Sequence, residues 1–230
     1  MKIEILHLIE GAKNAKGLTV IIDVFRAFSL QCYFFNQGVS KIIPVATVEE
    51  ALFLKKKHPE YILAGERDTK KIPGFDYGNS PFQILGIDFT GKTIVHTTSS
   101  GVQGILNAKN ASKVITGSFV NAEAIVNFIK LYNPDCVSLV CMGFATQYPV
   151  EEDTLCAEYI KEKLLGNHPD FKQMIEIIKN TSGQRFFDPY NQEHCPEQDF
   201  YLCLELNKFN FIIQAIIDEG KIVMQKIDLN

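Results

Sequence analysis

The sequence predicts an α/β fold with a mainly parallel sheet flanked by helices. Three short apolar runs, at Thr93–His96, Lys113–Thr116 and Val137–Met142, each end in small polar residues, and the first two lead directly into a helical pattern. Repeated strand, polar turn and helix are typical of parallel sheets, whose ligand-binding residues collect at the carboxyl ends of the strands. We therefore expect one edge of the sheet to carry the functional residues.

The other elements of the core follow in chain order. Leu18–Val24 is continuous in apolar residues, as a strand buried on both faces should be. Thr47 and Glu50 form a capping-box pattern, which predicts a helix start and makes both side chains caps. The remaining predicted elements up to residue 165 are strands at Lys41–Val45 and Tyr61–Ala64 and helices at Phe28–Gln37, Ala51–Lys57, Val102–Ala108, Ala122–Lys130 and Leu155–Leu165.

Beyond residue 165 the sequence becomes polar and irregular. We expect residues 166–197 to form an insertion or lid whose role the sequence does not define, with helices at Phe171–Lys179 and Phe200–Leu206 in this half of the chain. A closing pair of strands is predicted at Phe211–Ile217 and Lys221–Lys226. We expect residues 1–165 to form the α/β core and residues 166–230 to belong to the same continuous structural unit. The apolar segment Phe209–Ile217 could serve a homodimer interface.

The composition excludes several classes of protein. Of the 230 residues, 46% are hydrophobic and 22% are charged, so disorder is not expected. The formal net charge is −4, which argues against nucleic acid as a partner because phosphate backbones need clustered positive charge. No apolar run approaches the ~20 residues that a membrane helix needs, so we expect no membrane partner. The start of the chain lacks a signal-peptide pattern, and the six cysteines lack paired spacing; both predict a cytoplasmic protein with reduced thiols.

Asp23 is an acid within an apolar strand. Its neighbours Ile22 and Val24 make its charge costly unless it is paired, bound to metal or placed at the open end of the strand. One interpretation is a structural ion pair with Arg26. The other is a metal or phosphate ligand at the carboxyl edge of the sheet. The sequence leaves both open.

Hydroxyl and amide side chains follow two of the predicted strands. Residues 97–100 are four consecutive hydroxyl residues before Gly101, and Ser118 and Asn121 precede the next helix. Free N–H groups and hydroxyls at a helix start can bind an anion, although a single hydroxyl there is also an ordinary cap. Asn79, in the Pro- and Gly-rich loop 72–81, can serve function or a local turn equally well.

Three consecutive acids, Glu151–Asp153, stand just before the predicted helix Leu155–Leu165. Acids in a first turn stabilise a helix through its dipole, but Mg²⁺ also prefers one or two carboxylates with water and substrate oxygens. The P-loop, dinucleotide-binding, nucleophile-elbow and His-Glu-x-x-His motifs are absent from the sequence. What remains suits a divalent metal, an anion and activated water.

Six segments, in this order, resemble the motifs of the 2-phosphosulfolactate phosphatase family (ComB type). They are Asp23–Ala27, Gly65–Arg67, Ile72–Pro81, Thr97–Gly101, Gly117–Ala122 and Glu152–Ala157, with a weaker match at Asp199–Ile213. The resemblance implies a ComB-like α/β fold and a Mg²⁺-dependent phosphatase that hydrolyses 2-phospho-3-sulfolactate to 3-sulfolactate and phosphate. In methanogens this step belongs to coenzyme M biosynthesis.

The residues and the resemblance together predict roles for eleven positions. The acids Asp23, Glu66 and Asp153 are candidate Mg²⁺ ligands or water activators, and Arg26 would bind phosphate or sulfonate through its planar guanidinium. The predicted substrate contacts are Thr97, Thr98, Ser99 and Gly101 at the phosphate, Ser118 and Asn121 at a second anionic end, and Asn79 in the loop.

Three positions depart from the pattern of the family. Phe28 and Val102 stand where the family has hydroxyl residues, and Ser100 stands where it has Asn. The alternatives are therefore a metal-dependent phosphatase acting on another small phosphorylated hydroxy acid, or a non-catalytic protein that binds such an acid. In each case the partner is a small anionic phosphorylated molecule.

Overall fold

A computed structural model describes residues 1–229. Within them the chain forms ten strands in one sheet and eight α-helices. The strands are β1 Lys2–His7, β2 Gly17–Ile22, β3 Lys41–Pro44, β4 Ile62–Arg67, β5 Lys70–Lys71, β6 Thr93–Thr97, β7 Ala111–Gly117, β8 Cys136–Cys141, β9 Phe211–Asp218 and β10 Lys221–Asp228. The helices are α1 Leu8–Asn14, α2 Ala27–Asn36, α3 Val48–Lys57, α4 Gly101–Asn107, α5 Ala122–Tyr132, α6 Glu151–Leu164, α7 Phe171–Asn180 and α8 Glu197–Cys203.

The sheet consists of two parallel blocks joined by a hairpin. Its strand order is β1-β8-β2-β7-β9-β10-β3-β6-β4-β5, and the pairings within β1-β8-β2-β7 and within β3-β6-β4 are parallel. The β9–β10 hairpin is antiparallel to both blocks, so the blocks run in opposite directions. The predicted α/β fold with a mainly parallel sheet is confirmed.

The carboxyl ends of the two blocks meet. The Gly101 N–H, just after β6, donates to Asp23 Oδ2, just after β2, at 2.8 Å. The sequence predicts one functional edge of a parallel sheet. The structure brings strand ends from two blocks of opposite direction to one place, and both blocks contribute residues there.

The predicted closing pair of strands is present, in the middle of the sheet. Asp218 pairs with Lys221, which leaves Glu219 and Gly220 as a two-residue turn with φ values of 49° and 76°. Positive φ at both positions is typical of a type I′ hairpin turn. The last strands of the chain thus lie between β7 and β3 and connect the two blocks.

The N-terminal elements β1 and α1 are missing from the sequence-based prediction. Strand β1 pairs with β8 along its whole length at the edge of the sheet, and its residues are partly exposed. Lys2 and Glu4 interrupt its apolar pattern, so no continuous buried run marks it. Within residues 1–229, no helix is both long and apolar enough to cross a membrane.

Helix α2 lies at the centre of the molecule. Residues 27–35 are all buried, which is typical of a helix that packs on every side. Phe34 packs edge-to-face on Phe89, and Tyr33 packs on Phe209 from the C-terminal segment. Because α2 is held so tightly, Arg26 at its N-terminus has a fixed position next to the meeting point of the two blocks.

Candidate active site

A cavity lies where the two blocks meet, and it brings together residues that are distant in sequence. Six of the predicted site residues line it: Asp23, Arg26, Glu66, Asn79, Ser99 and Asp153. Three further charged residues, Asp68, Glu152 and Arg185, line it as well. The cavity therefore combines five acids with two guanidinium groups.

Asp23 and Asp153 are both buried, and each accepts backbone hydrogen bonds on both oxygens. The Asp23 oxygens accept from the N–H groups of Ala27 at 3.1 Å and Gly101 at 2.8 Å. The Asp153 oxygens accept from Val24 at 2.8 Å and Gly143 at 2.9 Å. These four bonds orient the carboxylates and compensate part of the cost of burying their charge.

Glu66, near the end of β4 in the other block, also accepts a backbone hydrogen bond on each oxygen. Its Oε1 accepts from the Ser99 N–H at 2.7 Å, and its Oε2 accepts from the Thr69 N–H at 3.0 Å. Three acids are thus held by six N–H groups from the strand ends. Each oxygen of Asp23 and Asp153 still has a lone pair for a further partner, because an ionised carboxylate offers about four acceptor sites.

The hydroxyl loop supports these acids. The N–H groups of Ser99 and Gly101 are taken up by Glu66 and Asp23, and the Thr98 hydroxyl accepts from the Val102 N–H at 3.1 Å as a helix cap. Thr97 accepts from Arg67 at 2.9 Å. Ser99 faces the cavity, whereas Thr97, Thr98 and Gly101 lie behind it. Their contact with phosphate stays a prediction.

Ser118 and Asn121 lie outside the cavity lining. Both are fully buried; the Ser118 hydroxyl lies 2.6 Å from that of Ser29, and the Ser118 N–H donates to Asn121 Oδ1 at 3.1 Å. Together they form the capping box of the short turn before α5. Their predicted contact with a second anionic end of the substrate therefore finds no support in the geometry and stays a prediction.

Arg26 is paired with Asp199, an acid that the sequence did not single out. Its Nη1 lies 2.7 Å from Asp199 Oδ2, and both side chains are buried. Asp199 Oδ1 also accepts from the Ser80 hydroxyl and the Phe82 N–H, each at 2.9 Å. The sequence left open an Asp23–Arg26 ion pair; the structure gives Arg26 a different partner. The weak motif match that begins at Asp199 was the available signal.

Arg185 brings a second guanidinium group to the cavity. It belongs to a 3-10 turn, Ser182–Phe186, in the segment for which no role was predicted. The guanidinium lies 3.4 Å from Glu152 Oε1 and packs on the rings of Phe25, Phe144 and Phe186. An arginine that contacts aromatic faces is held by dispersion and cation–π attraction and can bind an anion as well.

Burial raises the pKa values of Asp23, Glu152 and Asp153, three of the acids that line the cavity. Loss of solvent, together with the charges of Glu66 and Glu152, raises the pKa of Asp23 to about 7, although the backbone hydrogen bonds from Ala27 and Gly101 oppose this rise. Burial and then the charge of Asp23 raise the pKa of Asp153 well above its ordinary value. Burial also raises the pKa of Glu152, which Arg185 opposes. A cation bound among these acids would offset both the loss of solvation and the repulsion between their charges.

The donor set fits Mg²⁺ held by two carboxylates. The acids offer hard oxygen ligands, and Glu152 Oε2 is buried without a hydrogen-bond partner. Within residues 1–229, however, no three acidic, histidine or cysteine side chains converge closely enough to hold a metal. Water and substrate oxygens would therefore complete the coordination, as is usual for Mg²⁺ at phosphate sites.

These shifts predict an unusual pH dependence of stability. Between pH 4 and pH 7 the folded protein holds a proton on Asp23 that the unfolded chain, with its ordinary pKa of 3.8, has released. The free energy of unfolding without metal should therefore fall as the pH rises through this range. Added Mg²⁺, which binds ionised carboxylates, should stabilise the protein more at pH 8 than at pH 5.

Thermal unfolding at pH 5 and pH 8, with EDTA or with Mg²⁺, checks this expectation. The variant Asp23→Asn is the reference, because it cannot ionise at this position and should show a flatter dependence. Equal stabilisation by Mg²⁺ at the two pH values would contradict the prediction.

The fold and the cavity define a class of protein: an α/β protein whose site combines buried carboxylates and guanidinium groups, a set suited to an anion and a divalent metal. The chain belongs to the 2-phosphosulpholactate phosphatase family, whose model matches residues 3–216.

Three curated relatives, all named "Probable 2-phosphosulfolactate phosphatase", match most of the chain. The protein from Caldicellulosiruptor saccharolyticus is 31% identical over 90% of this chain and 91% of its own length. The Bacillus subtilis protein is 34% identical over 86% of each chain. The protein from Caldanaerobacter subterraneus is 38% identical over 84% of this chain and 85% of its own length.

Proposed function

We propose that this chain is a Mg²⁺-dependent phosphatase that hydrolyses 2-phospho-3-sulfolactate to 3-sulfolactate and phosphate. Membership of the family and the names of its relatives support phosphatase activity on this class of compound. The observation that carries the proposal is the cavity itself, where three carboxylates held by paired N–H bonds face the guanidinium groups of Arg26 and Arg185.

The charges of the cavity match this substrate only when a cation is present. 2-Phospho-3-sulfolactate carries a phosphate, a sulfonate and a carboxylate, and the buried acids of the cavity would repel all three. Mg²⁺ held by two of Asp23, Glu66 and Asp153 would offset their charge and polarise a phosphoryl oxygen. Arg26 and Arg185 would bind the remaining anionic groups through their planar N–H donors.

The acids also provide a proton acceptor. Water that attacks phosphorus must lose a proton as the ester P–O bond breaks, and the departing hydroxyl oxygen must gain one. A carboxylate with a pKa near 7 suits such a transfer at neutral pH, and the pKa of Asp23 is about 7. We assign proton acceptance to whichever of the three acids does not bind the metal.

Most of the departures from the family pattern leave the lining of the cavity unchanged, which supports the family's substrate. Of the three positions that depart from the family pattern, Phe28 and Val102 are completely buried and do not line the cavity. Only Ser100 lines it, and its hydroxyl accepts from the Thr146 N–H at 3.2 Å. Two of the three departures therefore concern packing around α2 and α4.

Phosphate release from racemic 2-phosphosulfolactate and from phospholactate, each with Mg²⁺ and with EDTA, tests the proposal. We expect release that requires Mg²⁺ and is at least about tenfold faster with the sulfonated compound, since one charge-assisted hydrogen bond is worth about that factor. Equal rates would indicate a broader phosphatase. Absence of release from both compounds would contradict the proposal and favour the non-catalytic binder.

A further inference from the structure

His96, near the end of β6, is a completely buried histidine that contacts the wall of the cavity through one intermediate residue. Its Nδ1 lies 3.2 Å from Gln31 Nε2, and its Nε2 lies 3.1 Å from Asn79 Oδ1. Burial and, to a smaller extent, the charge of Arg67 lower the pKa of His96 to about 3. The ring is therefore neutral at the pH of the cell.

A neutral imidazole has one donor nitrogen and one acceptor nitrogen, and its neighbours determine which is which. The Gln31 amide nitrogen can only donate, so Nδ1 of His96 accepts and Nε2 carries the hydrogen. The Nε2 hydrogen then bonds to the Asn79 carbonyl oxygen. The Asn79 oxygen thus accepts the hydrogen bond from His96. The Nδ2 amide group is the end of the side chain that can donate into the cavity.

Asn79 lies where two cavities adjoin. Its side chain is only 6% exposed, and it lines both the candidate active site and an adjoining cavity of about 380 Å³. Arg26 and Thr69 are likewise shared by the two cavities. An amide at this place meets any molecule that extends from one cavity into the other.

The hydrogen bonds from Gln31 through His96 to Asn79 could also run in the reverse direction, but that arrangement is less compatible with the cavity. If both amides were rotated, Asn79 would donate to His96 and would present its carbonyl oxygen to the cavity. The acids of the cavity and an anionic substrate are all hydrogen-bond acceptors, and Arg26, which lines both cavities with Asn79, already donates to Asp199 and to the Thr69 carbonyl oxygen. An Asn79 oxygen there would add one more acceptor to a site where acceptors already compete for the N–H donors. In either arrangement one polar atom of the Gln31 amide lacks a hydrogen-bond partner, and in the structure this atom is Oε1. Gln31 alone therefore does not decide between the two arrangements.

We infer that Gln31 and His96 are positioning residues that turn the Asn79 amide N–H groups toward the cavity, where they donate to an oxyanion of the substrate. The inference rests on the proposed function in that the substrate is anionic. The chain from Gln31 through His96 to Asn79 gives the site a neutral donor beside Arg26, and it selects for groups that only accept hydrogen bonds, such as sulfonate, carboxylate or phosphate.

Two variants at position 79 test the donor. Asn79→Asp keeps an oxygen for the His96 N–H and nearly the same shape, but replaces the donor with a negative acceptor. We expect it to weaken binding of 3-sulfolactate, measured by calorimetry without turnover, by about tenfold or more. Asn79→Ala should weaken binding less than Asn79→Asp, because it adds no repulsion. Unchanged affinity in Asn79→Asp would overturn the inference.

Two variants at position 96 test the positioning. His96→Gln retains an amide that can donate to Asn79, whereas His96→Leu retains only the volume. We expect His96→Gln to stay within about threefold of the wild-type affinity and His96→Leu to lose about tenfold, the worth of one hydrogen bond to a charged group. If His96 served stability alone, both variants would unfold more readily without any separation in affinity for 3-sulfolactate.

Nitrogen NMR of the wild-type protein provides a readout that does not depend on activity. The His96 ring should show a protonated Nε2 and an unprotonated Nδ1 between pH 5 and pH 8. A proton on Nδ1 would overturn the inference. If the tautomer and the Asn79→Asp result are as expected but no phosphate is released from either compound, the proposed function fails and the oxyanion donor remains.

Discussion

The variant Asp153→Asn is expected to lose Mg²⁺-dependent phosphate release by roughly 10²–10⁴-fold, the range associated with loss of a positioned acid or base. Asp153 lies in the first turn of α6, and its oxygens accept from the N–H groups of Val24 and Gly143, which follow β2 and β8. Asparagine removes the negative charge that would bind Mg²⁺ or accept a proton. It also offers only one oxygen to two N–H donors.

The effect of this variant on stability is expected to be small because two contributions oppose each other. One backbone N–H loses its acceptor, which costs about 1–3 kcal/mol. The charge repulsion with Asp23 and Glu152, which raises the pKa of Asp153, is relieved at the same time. A folded protein without activity should result.

Initial rates with 2-phosphosulfolactate, together with the thermal unfolding temperature, check this prediction. Glu151→Gln is the matched control, because Glu151 begins the same helix and is exposed. It should retain nearly full activity. More than half of the wild-type kcat in Asp153→Asn would exclude Asp153 from the reaction.

Local patterns were sufficient for most of the secondary structure, but not for the arrangement of the sheet. Hydrophobic periodicity and turn residues define each strand and helix within a short window. The opposite directions of the two blocks depend on where the β9–β10 hairpin inserts into the sheet. Few residue pairs between neighbouring strands determine that place, among them Met224 with Ile42 and Ile115 with Gln214. No local pattern reports such pairings.

The acids of the site could be predicted because a buried carboxylate always requires compensation. Asp23 stands in an apolar run, so the sequence alone indicated a partner or a ligand. The kind of compensation was not visible: backbone N–H groups of Ala27 and Gly101 supply it. Backbone donors leave no trace in side-chain composition, so the sequence predicts a phosphate-binding loop without showing that its N–H groups also hold Glu66 and Asp23.

The residues that sequence reasoning missed act through partners far along the chain. Arg26 and Asp199 are separated by 173 positions, and His96 contacts Gln31 across 65. Arg185 lies in a segment without apolar periodicity, where neither spacing nor composition distinguishes it from surface residues. Only the folded chain shows that Arg26 and Arg185 line one cavity and that Asp199 and His96 hydrogen-bond to residues of its lining.

The variant Asp199→Ala is expected to be the most destabilising single change at the site, with a loss of about 3–5 kcal/mol in the free energy of unfolding. It leaves the Arg26 guanidinium buried without its charged partner and removes the acceptor of the Ser80 hydroxyl and the Phe82 N–H. An unpaired buried charge costs far more than an exposed one. Removal of the exposed Lys13–Glu10 pair by Glu10→Ala should cost at most about 1 kcal/mol.

A double variant separates the cost of the unpaired charge from the role of Arg26 in binding. Replacing a buried ion pair by apolar side chains of similar volume is often neutral or stabilising, so Arg26→Met with Asp199→Leu should recover much of the stability that Asp199→Ala loses. Its affinity for inorganic phosphate with Mg²⁺, measured by calorimetry, should nevertheless stay at least about tenfold weaker than that of the wild type, because the guanidinium donor is gone. Urea unfolding and phosphate titration of the three proteins provide both quantities. Wild-type affinity in the double variant would mean that Arg26 serves the fold alone and that Arg185 and the metal bind the anion without it.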